Sequence, residues 1–259
     1  MQRLDETAKG VYVITVTPFS DDGALDLEST DRVVDFYLDR GATGLTVLGV
    51  MGEAPKLTTD EARSYVKRVL ARVRGRVPVI VGVSAPGFAA IGELAVSVME
   101  MGAAGVMVAP AATVKTDDQA VGYFEMVAET LGAEVPFCLQ DHPLATGVQL
   151  PVAVLLRVIK AIPTCVMLKH EDWPGPGLAK LAAIRAASDK GEGNRMRRVS
   201  ILCGNGGGLF LPEELARGAD GAMTGFSYPE MMVDVCNAHA AGDIERAHDL
   251  FNAYLPLAL

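Results

Sequence analysis

A lysine ends one of the apolar runs of this chain: Lys169 follows Cys165, Val166, Met167 and Leu168 with no turn residue between. In an alternating strand Lys169 shares a face with Met167 and Cys165. If that face is the inside of a barrel, the ammonium is partly desolvated, which favours the neutral amine. A neutral amine is the nucleophile that condenses with a ketone to form a Schiff base. The bland alternative is a structural ion pair with Glu171 or Asp172. Glu171 lies two residues on, so a continuing strand puts it on the lysine's face, where it can act as a base. Gln140, Asp141 and His142 end another apolar run, and His142 has the unperturbed pKa best suited to proton transfer. Gly204, Asn205, Gly206, Gly207 and Gly208 follow a third run, and such a loop can offer unhindered N–H groups to anionic oxygens.

These groups need elements to hold them. The signal G-A-x-G recurs at Gly41, Gly102 and Gly218, at intervals of 61 and 116 residues, each time between a helix-like stretch and an apolar run. The first glycine suits a left-handed helix cap, and a strand follows. With roughly 30 residues per β-α unit, the intervals are two and four units. The three signals then open strands 2, 4 and 8 of an eight-fold array. Strands are expected at 11–16, 45–48, 79–83, 106–109, 137–139, 166–168, 200–203 and 222–224. These runs are short, continuous and mostly β-branched, as in parallel strands buried on both faces. Helices are expected behind Thr58, which starts a capping box with Glu61, behind Thr116, and from Pro151. The expected fold is α/β, a (β/α)8 TIM barrel over residues 1–226, with a short C-terminal helical extension over 227–259. Sites in such barrels lie at the C-terminal strand ends, where all the groups above fall.

The chain has 259 residues, half of them apolar and 21% charged, which excludes a disordered or disulfide-stapled chain. Its net charge of −9 and lack of a basic run argue against nucleic acid or an anionic membrane as partner. No apolar run reaches the ~18 residues of a membrane span, and the acidic N-terminus lacks the apolar core of a signal peptide. Cys138, Cys165, Cys203 and Cys236 form no CxxC pair and read as free thiols in a reducing cytoplasm. No cofactor or metal is expected.

Four segments resemble the dihydrodipicolinate synthase / N-acetylneuraminate lyase family of Schiff-base aldolases and dehydratases. They are T-V-T-P-F at 15–19 with Asp22, Gly23 and Asp26; Gly49, Val50, Met51, Gly52 and Glu53 with Leu57 and Thr58; Leu168 and Lys169; and the stretch from Gly204 to Pro212 with the last G-A-x-G. The resemblance runs along about 250 residues and implies the barrel, Lys169 as the Schiff-base lysine, and a homo-oligomer, tetramer or dimer. It also shows departures. Gln140 stands where the family has the tyrosine of its proton relay. Val50 and Met51 stand for two hydroxyl residues, Ala111 and Ala112 for an aromatic pair, and residues 144–147 carry none of the synthases' arginine. Glutamine does not titrate near neutral pH, so it cannot replace tyrosine as acid or base.

The reading is therefore a lyase acting on a small 2-keto acid, a dehydratase or aldolase of 2-keto-3-deoxy sugar acids. Lys169 forms the imine, N–H groups of Gly49, Val50, Met51 and Gly52 hold the carboxylate, and Gln140 bonds a substrate hydroxyl or water. Glu171 is the first choice of base and His142 the next, with Asp141 open. Asn205 and Gly206 contact distal hydroxyls, and Met51 and Met223 wall the pocket. The alternatives are a dihydrodipicolinate synthase-like pyruvate aldolase, a metal lyase built on Asp141, His142, His170 and Glu171, and a keto-acid-binding barrel without catalysis.

Overall fold

The computed structural model describes residues 3–173, 177–189 and 196–259. Strands and helices alternate: β1 (Gly10–Ile14), α1 (Leu27–Asp39), β2 (Gly44–Val47), α2 (Thr59–Val73), β3 (Val79–Gly82), α3 (Phe88–Met101), β4 (Gly105–Val108), α4 (Asp117–Leu131), β5 (Phe137–Asp141), a single turn α5 (Pro143–Thr146), α6 (Val152–Ala161), β6 (Cys165–His170), α7 (Gly177–Asp189), β7 (Ser200–Cys203), α8 (Leu211–Leu215), β8 (Gly221–Ala222), α9 (Pro229–Ala240) and α10 (Ile244–Ala258). The eight strands are all parallel and close in sequence order, β8 pairing with β1. The fold is a (β/α)8 TIM barrel with a further C-terminal helix. Among the described residues no helix is long and apolar enough to cross a membrane.

Local chemistry explains the element boundaries. Thr58 and Glu61 form a reciprocal capping box at the start of α2, and Thr116 and Gln119 form a second at α4. In each G-A-x-G the first glycine takes a positive φ, and the second opens a strand where a side chain has no room. At Gly44, for example, a Cβ would stand 2.3 Å from the ring of Tyr12.

Alternation along the strands makes two cores. Tyr12, Ile14, Ile80, Met107, Cys138, Met167, Leu202 and Met223 fill the barrel, joined by Leu4. Val11, Val13, Leu45, Val81, Val106, Leu139, Leu168 and Ile201 face the helices. Burying each such aliphatic side chain contributes about 1.5–3 kcal/mol, well above the ~0–1 kcal/mol of a surface ion pair. The cores therefore hold the fold together.

Four strand expectations need correction. β8 covers Gly221–Ala222 and does not reach 224. β1 ends at Ile14 rather than 16, although Thr15 N–H still donates to the Thr46 carbonyl. β5 and β6 run past their apolar stretches, because the ladder continues through Gln140↔Lys169 and Asp141↔His170. Cys165 does not share the face of Lys169. The register shifts so that Phe137 pairs with Cys165 but Cys138 with Met167, leaving Val166 as the extra residue of a bulge. Cys165 thus packs in the outer core, and Val166 and Met167 in the inner one.

Candidate active site at the C-terminal strand ends

β5 and β6 deliver the central groups. Lys169 and Glu171 both face into the barrel mouth, and Glu171 N–H donates to the Asp141 carbonyl at 2.9 Å, which carries the pairing one residue past β6. Lys169 Nζ donates to Glu171 Oε1 at 2.7 Å, with the two side chains 5% and 8% exposed. Gln140 Nε2 donates to Glu171 Oε2 at 2.8 Å. His142 Nδ1 stands 3.7 Å from the same Oε2, beyond hydrogen-bond reach, and is buried without a hydrogen-bond partner among the described residues. Both carboxylate oxygens of Glu171 are thus engaged, one by the lysine and one by the amide.

A cavity of about 310 Å³ opens above this group. Lys169, Glu171, His142, Asn205 and Thr224 supply its polar side chains, and Ile14, Val50, Met51, Leu144, Trp173 and Leu209 its apolar ones. Trp173 leans on Phe210, their ring centroids 4.6 Å apart. Two other hollows, of about 210 and 290 Å³, lie at the opposite end of the barrel, around Pro78 and Val79 and around Tyr12 and Thr43.

The other expected residues fall into three groups. Val50 and Met51 do line the cavity, on a tight turn that includes Gly49 and Gly52. Leu48 and Glu53 bracket that turn with left-handed φ of 55° and 56°, and Thr17 Oγ1 donates to the Gly52 carbonyl at 2.6 Å. Met51 lies against the segment that follows β8, since a Cβ at Gly225 would stand 1.9 Å from its Sδ. Met223, by contrast, is fully buried in the inner core with its Sδ 4.0 Å from Cys138 Sγ, and is no part of the cavity wall. Gln140 is likewise absent from the wall, its amide nitrogen being committed to Glu171.

The glycine loop also differs from expectation. Gly204 N–H donates to the His170 carbonyl, Gly207 N–H to Gly225, and Gly208 N–H to Asn205. The loop closes on itself in a 3-10 turn, Gly206–Gly208, so these three donors are spent on the fold. Gly204 has another use: a Cβ there would stand 2.2 Å from Cγ of Glu171 and 3.0 Å from Cγ of Lys169. Only glycine leaves the pair its room.

Behind the wall lies a second buried polar cluster. Asp141 and Asp172 meet Lys180 of α7, at 2.8 and 2.7 Å. His170 Nδ1 stands 3.1 Å from Glu214 Oε1, which also accepts from Asn205 Nδ2 at 3.1 Å. Burial raises the Asp141 pKa against the opposing pull of Lys180. Burial works to lower that of His170, but the hydrogen bond and charge of Glu214 outweigh it and the net shift is upward. Alternation therefore splits the four residues of the metal reading: Asp141 and His170 face outward, His142 and Glu171 the cavity. Among the described residues no cluster of three or more His, Cys, Asp or Glu side chains is arranged to hold a metal ion. Sequence reasoning missed Lys180, Glu214 and Thr224; only the position of Thr224 at a strand end signalled it.

A (β/α)8 barrel with a buried lysine–carboxylate pair under a cavity at its C-terminal face defines a class of lysine-bearing barrel enzymes. Comparison with known proteins narrows it: the model of the dihydrodipicolinate synthetase family matches residues 7–258, and the chain belongs to that family. It is 32% identical over 253 residues to an L-2-keto-3-deoxyarabonate dehydratase of Azospirillum brasilense, covering 96% of this chain and 78% of the relative. It is 31% identical over 250 residues to a 4-hydroxy-tetrahydrodipicolinate synthase of Oceanobacillus iheyensis, covering 95% and 80%. Among solved structures, a dihydrodipicolinate synthase from Rhodopseudomonas palustris superposes with a TM-score of 0.94 at 48% identity, over all of this chain and 83% of that one.

Proposed function

We propose that this chain is a lyase that forms a Schiff base between Lys169 and C2 of a 2-keto acid, and that its substrates are 2-keto-3-deoxy sugar acids. The observation that carries the reading is the Glu171 carboxylate, held by Gln140 at 2.8 Å and by Lys169 at 2.7 Å beneath the cavity. A carboxylate in that place can take the ammonium proton and release the amine. The amine adds to C2, and the carbonyl oxygen leaves as water to give an iminium. The iminium draws electrons from C3, whose proton passes to Glu171. The C4 hydroxyl then departs with a proton from His142 or Glu171, and water hydrolyses the imine to return the lysine. If the base instead takes the proton of the C4 hydroxyl, the C3–C4 bond breaks, its electrons pass into the iminium, the C4 fragment leaves as an aldehyde, and the same site is an aldolase.

The substrate carboxylate would lie on the backbone N–H groups of the turn at 49–52, and distal hydroxyls on Asn205 and Thr224. Gln140 orients the base rather than moving protons, which suits a site without the family's tyrosine. The dehydratase of Azospirillum brasilense supports a 2-keto-3-deoxy acid as substrate. The synthase relatives favour a second reading, a pyruvate aldolase. The same proposal has the enzyme work in the cytoplasm as a homo-oligomer, a tetramer or dimer; four free cysteines suit a reducing compartment, and sedimentation measures the assembly.

The test is borohydride trapping. The protein is incubated with pyruvate or with a panel of 2-keto-3-deoxy sugar acids, reduced, and weighed intact, with Lys169→Ala as control. An adduct on Lys169 is expected, and a product lighter by one water identifies dehydration. Release of pyruvate identifies cleavage, and rapid condensation of pyruvate with an aldehyde the second reading. Absence of any adduct overturns the mechanism, and adducts without turnover leave a binding barrel.

A further inference from the structure

The ends of β5 and β6 present opposite faces residue by residue. Gln140, Lys169 and Glu171 gather at the barrel mouth, whereas Asp141 and Asp172 turn outward and are buried against α7. Lys180 stands between those two carboxylates, 2.8 Å from Asp141 Oδ2 and 2.7 Å from Asp172 Oδ2, and all three residues are at most 4% exposed. Lys180 itself is not on the cavity wall.

Each partner of Lys180 is the chain neighbour of a residue at the mouth: Asp141 adjoins Gln140, and Asp172 adjoins Glu171. The strand ladder fixes Gln140 opposite Lys169 and stops at Asp141↔His170. Glu171 lies beyond that last pair, tied to β5 by its own N–H, and Trp173 N–H already turns back on the Glu171 carbonyl. Among the described residues, backbone pairing alone thus leaves the far side of Glu171 unheld. The ion pair from Lys180 to Asp172 holds it there. Apolar side chains would dock α7 on the barrel without the desolvation that three buried charges incur. That cost has a purpose if the charges fix a geometry.

We propose that Lys180 is a positioning residue: by bridging Asp141 and Asp172 from outside the barrel, it sets the separation of the β5 and β6 ends and so keeps the Glu171 carboxylate between Gln140 Nε2 and Lys169 Nζ. The inference rests on the reading of Lys169 as the Schiff-base lysine. The two hydrogen bonds to Glu171 have no slack, since each is already at a normal donor–acceptor distance. A displacement of about 1 Å at such a site costs on the order of a hundredfold in rate.

Lys180→Met alone leaves two buried carboxylates unpaired and threatens folding. The test therefore uses two other variants. Asp172→Asn retains the Lys180–Asp141 pair, and the triple variant Asp141→Asn/Lys180→Met/Asp172→Asn leaves no charge unpaired. Both are compared with the unaltered protein for the rate of pyruvate trapping by cyanoborohydride, the half-saturating pyruvate, the pH midpoint of trapping, and the thermal midpoint. The expected result is trapping slowed by about tenfold or more, with a displaced pH midpoint and nearly unchanged half-saturation, because the carboxylate-binding turn at 49–52 lies away from β5 and β6. Folded variants that trap at the unaltered rate and pH midpoint, whatever their thermal midpoint, overturn the positioning role while leaving the Schiff base intact. An unaltered protein that forms no adduct overturns the Schiff-base reading itself, and the inference with it.

Discussion

Gly204 and Glu171 occupy one space: a methyl group on the glycine would lie 2.2 Å from the glutamate Cγ. Gly204 has an ordinary negative φ and an N–H fixed to the His170 carbonyl, so its backbone cannot retreat. Gly204→Ala must therefore push Glu171 off Lys169. Trapping of pyruvate at Lys169 is expected to fall by about a hundredfold, with the barrel's circular dichroism retained. Trapping at the unaltered rate would show that the lysine needs no carboxylate beside it.

Gln140 supplies a neutral donor to Glu171. Gln140→Glu sets a second carboxylate there, and like charges so close raise a carboxyl pKa. The rising limb of the pH–rate profile should move upward by roughly one pH unit. Gln140→Leu adds no charge but removes a donor that favours the charged carboxylate, so its limb should move upward as well. Identical profiles for all three proteins would mean that Glu171 is not the titrating base.

His170 links stability to pH. Its pKa is raised in the folded protein, so the folded state binds the proton more tightly than the unfolded chain does. The stabilisation is complete below the unfolded value, about 6.5, and is lost as pH rises through the folded pKa. Asp141 is also raised, so its contribution has the same sign, lost from about pH 3.9 upward. The charged groups that face His170 are Glu214, Asp141 and Lys180. Urea unfolding of the protein and of His170→Gln should therefore differ most at acid pH and converge at alkaline pH. A difference that grows with pH would reverse the assignment.

The capping box at α2 takes no direct part in this chemistry, since neither Thr58 nor Glu61 is on the cavity wall. Thr58→Ala removes the acceptor for Glu61 N–H and half of the reciprocal pair. It should cost about 1 kcal/mol in urea unfolding, with trapping per folded molecule unchanged. A loss of trapping would show that the helix layer communicates with the site.

Much of this molecule is legible in its sequence because the signals are local. Capping boxes at Thr58 and Thr116, glycine caps at Gly41, Gly102 and Gly218, and short β-branched runs each depend on neighbours within a few residues. Together they specify the barrel and order its strands. The resemblance singles out Lys169, and a spacing of two puts Glu171 beside it. The same local rule misplaced Cys165, because a bulge depends on how β5 and β6 pair and not on either strand alone. It also credited the glycine loop with donors that are spent on the fold: Gly204 N–H on His170, Gly207 N–H on Gly225 and Gly208 N–H on Asn205.

The sequence by itself determined the architecture, the lysine and the shared face of Lys169 and Glu171, since period and capping are short-range properties of the chain. Tertiary structure alone decided that Gln140, 31 residues away, donates to Glu171, that Gly204 makes room for it, and that Lys180 bridges Asp141 and Asp172 behind the wall. Those relations depend on cross-strand register and on the docking of α7, where contacts between distant residues are chosen by the packing of the whole barrel.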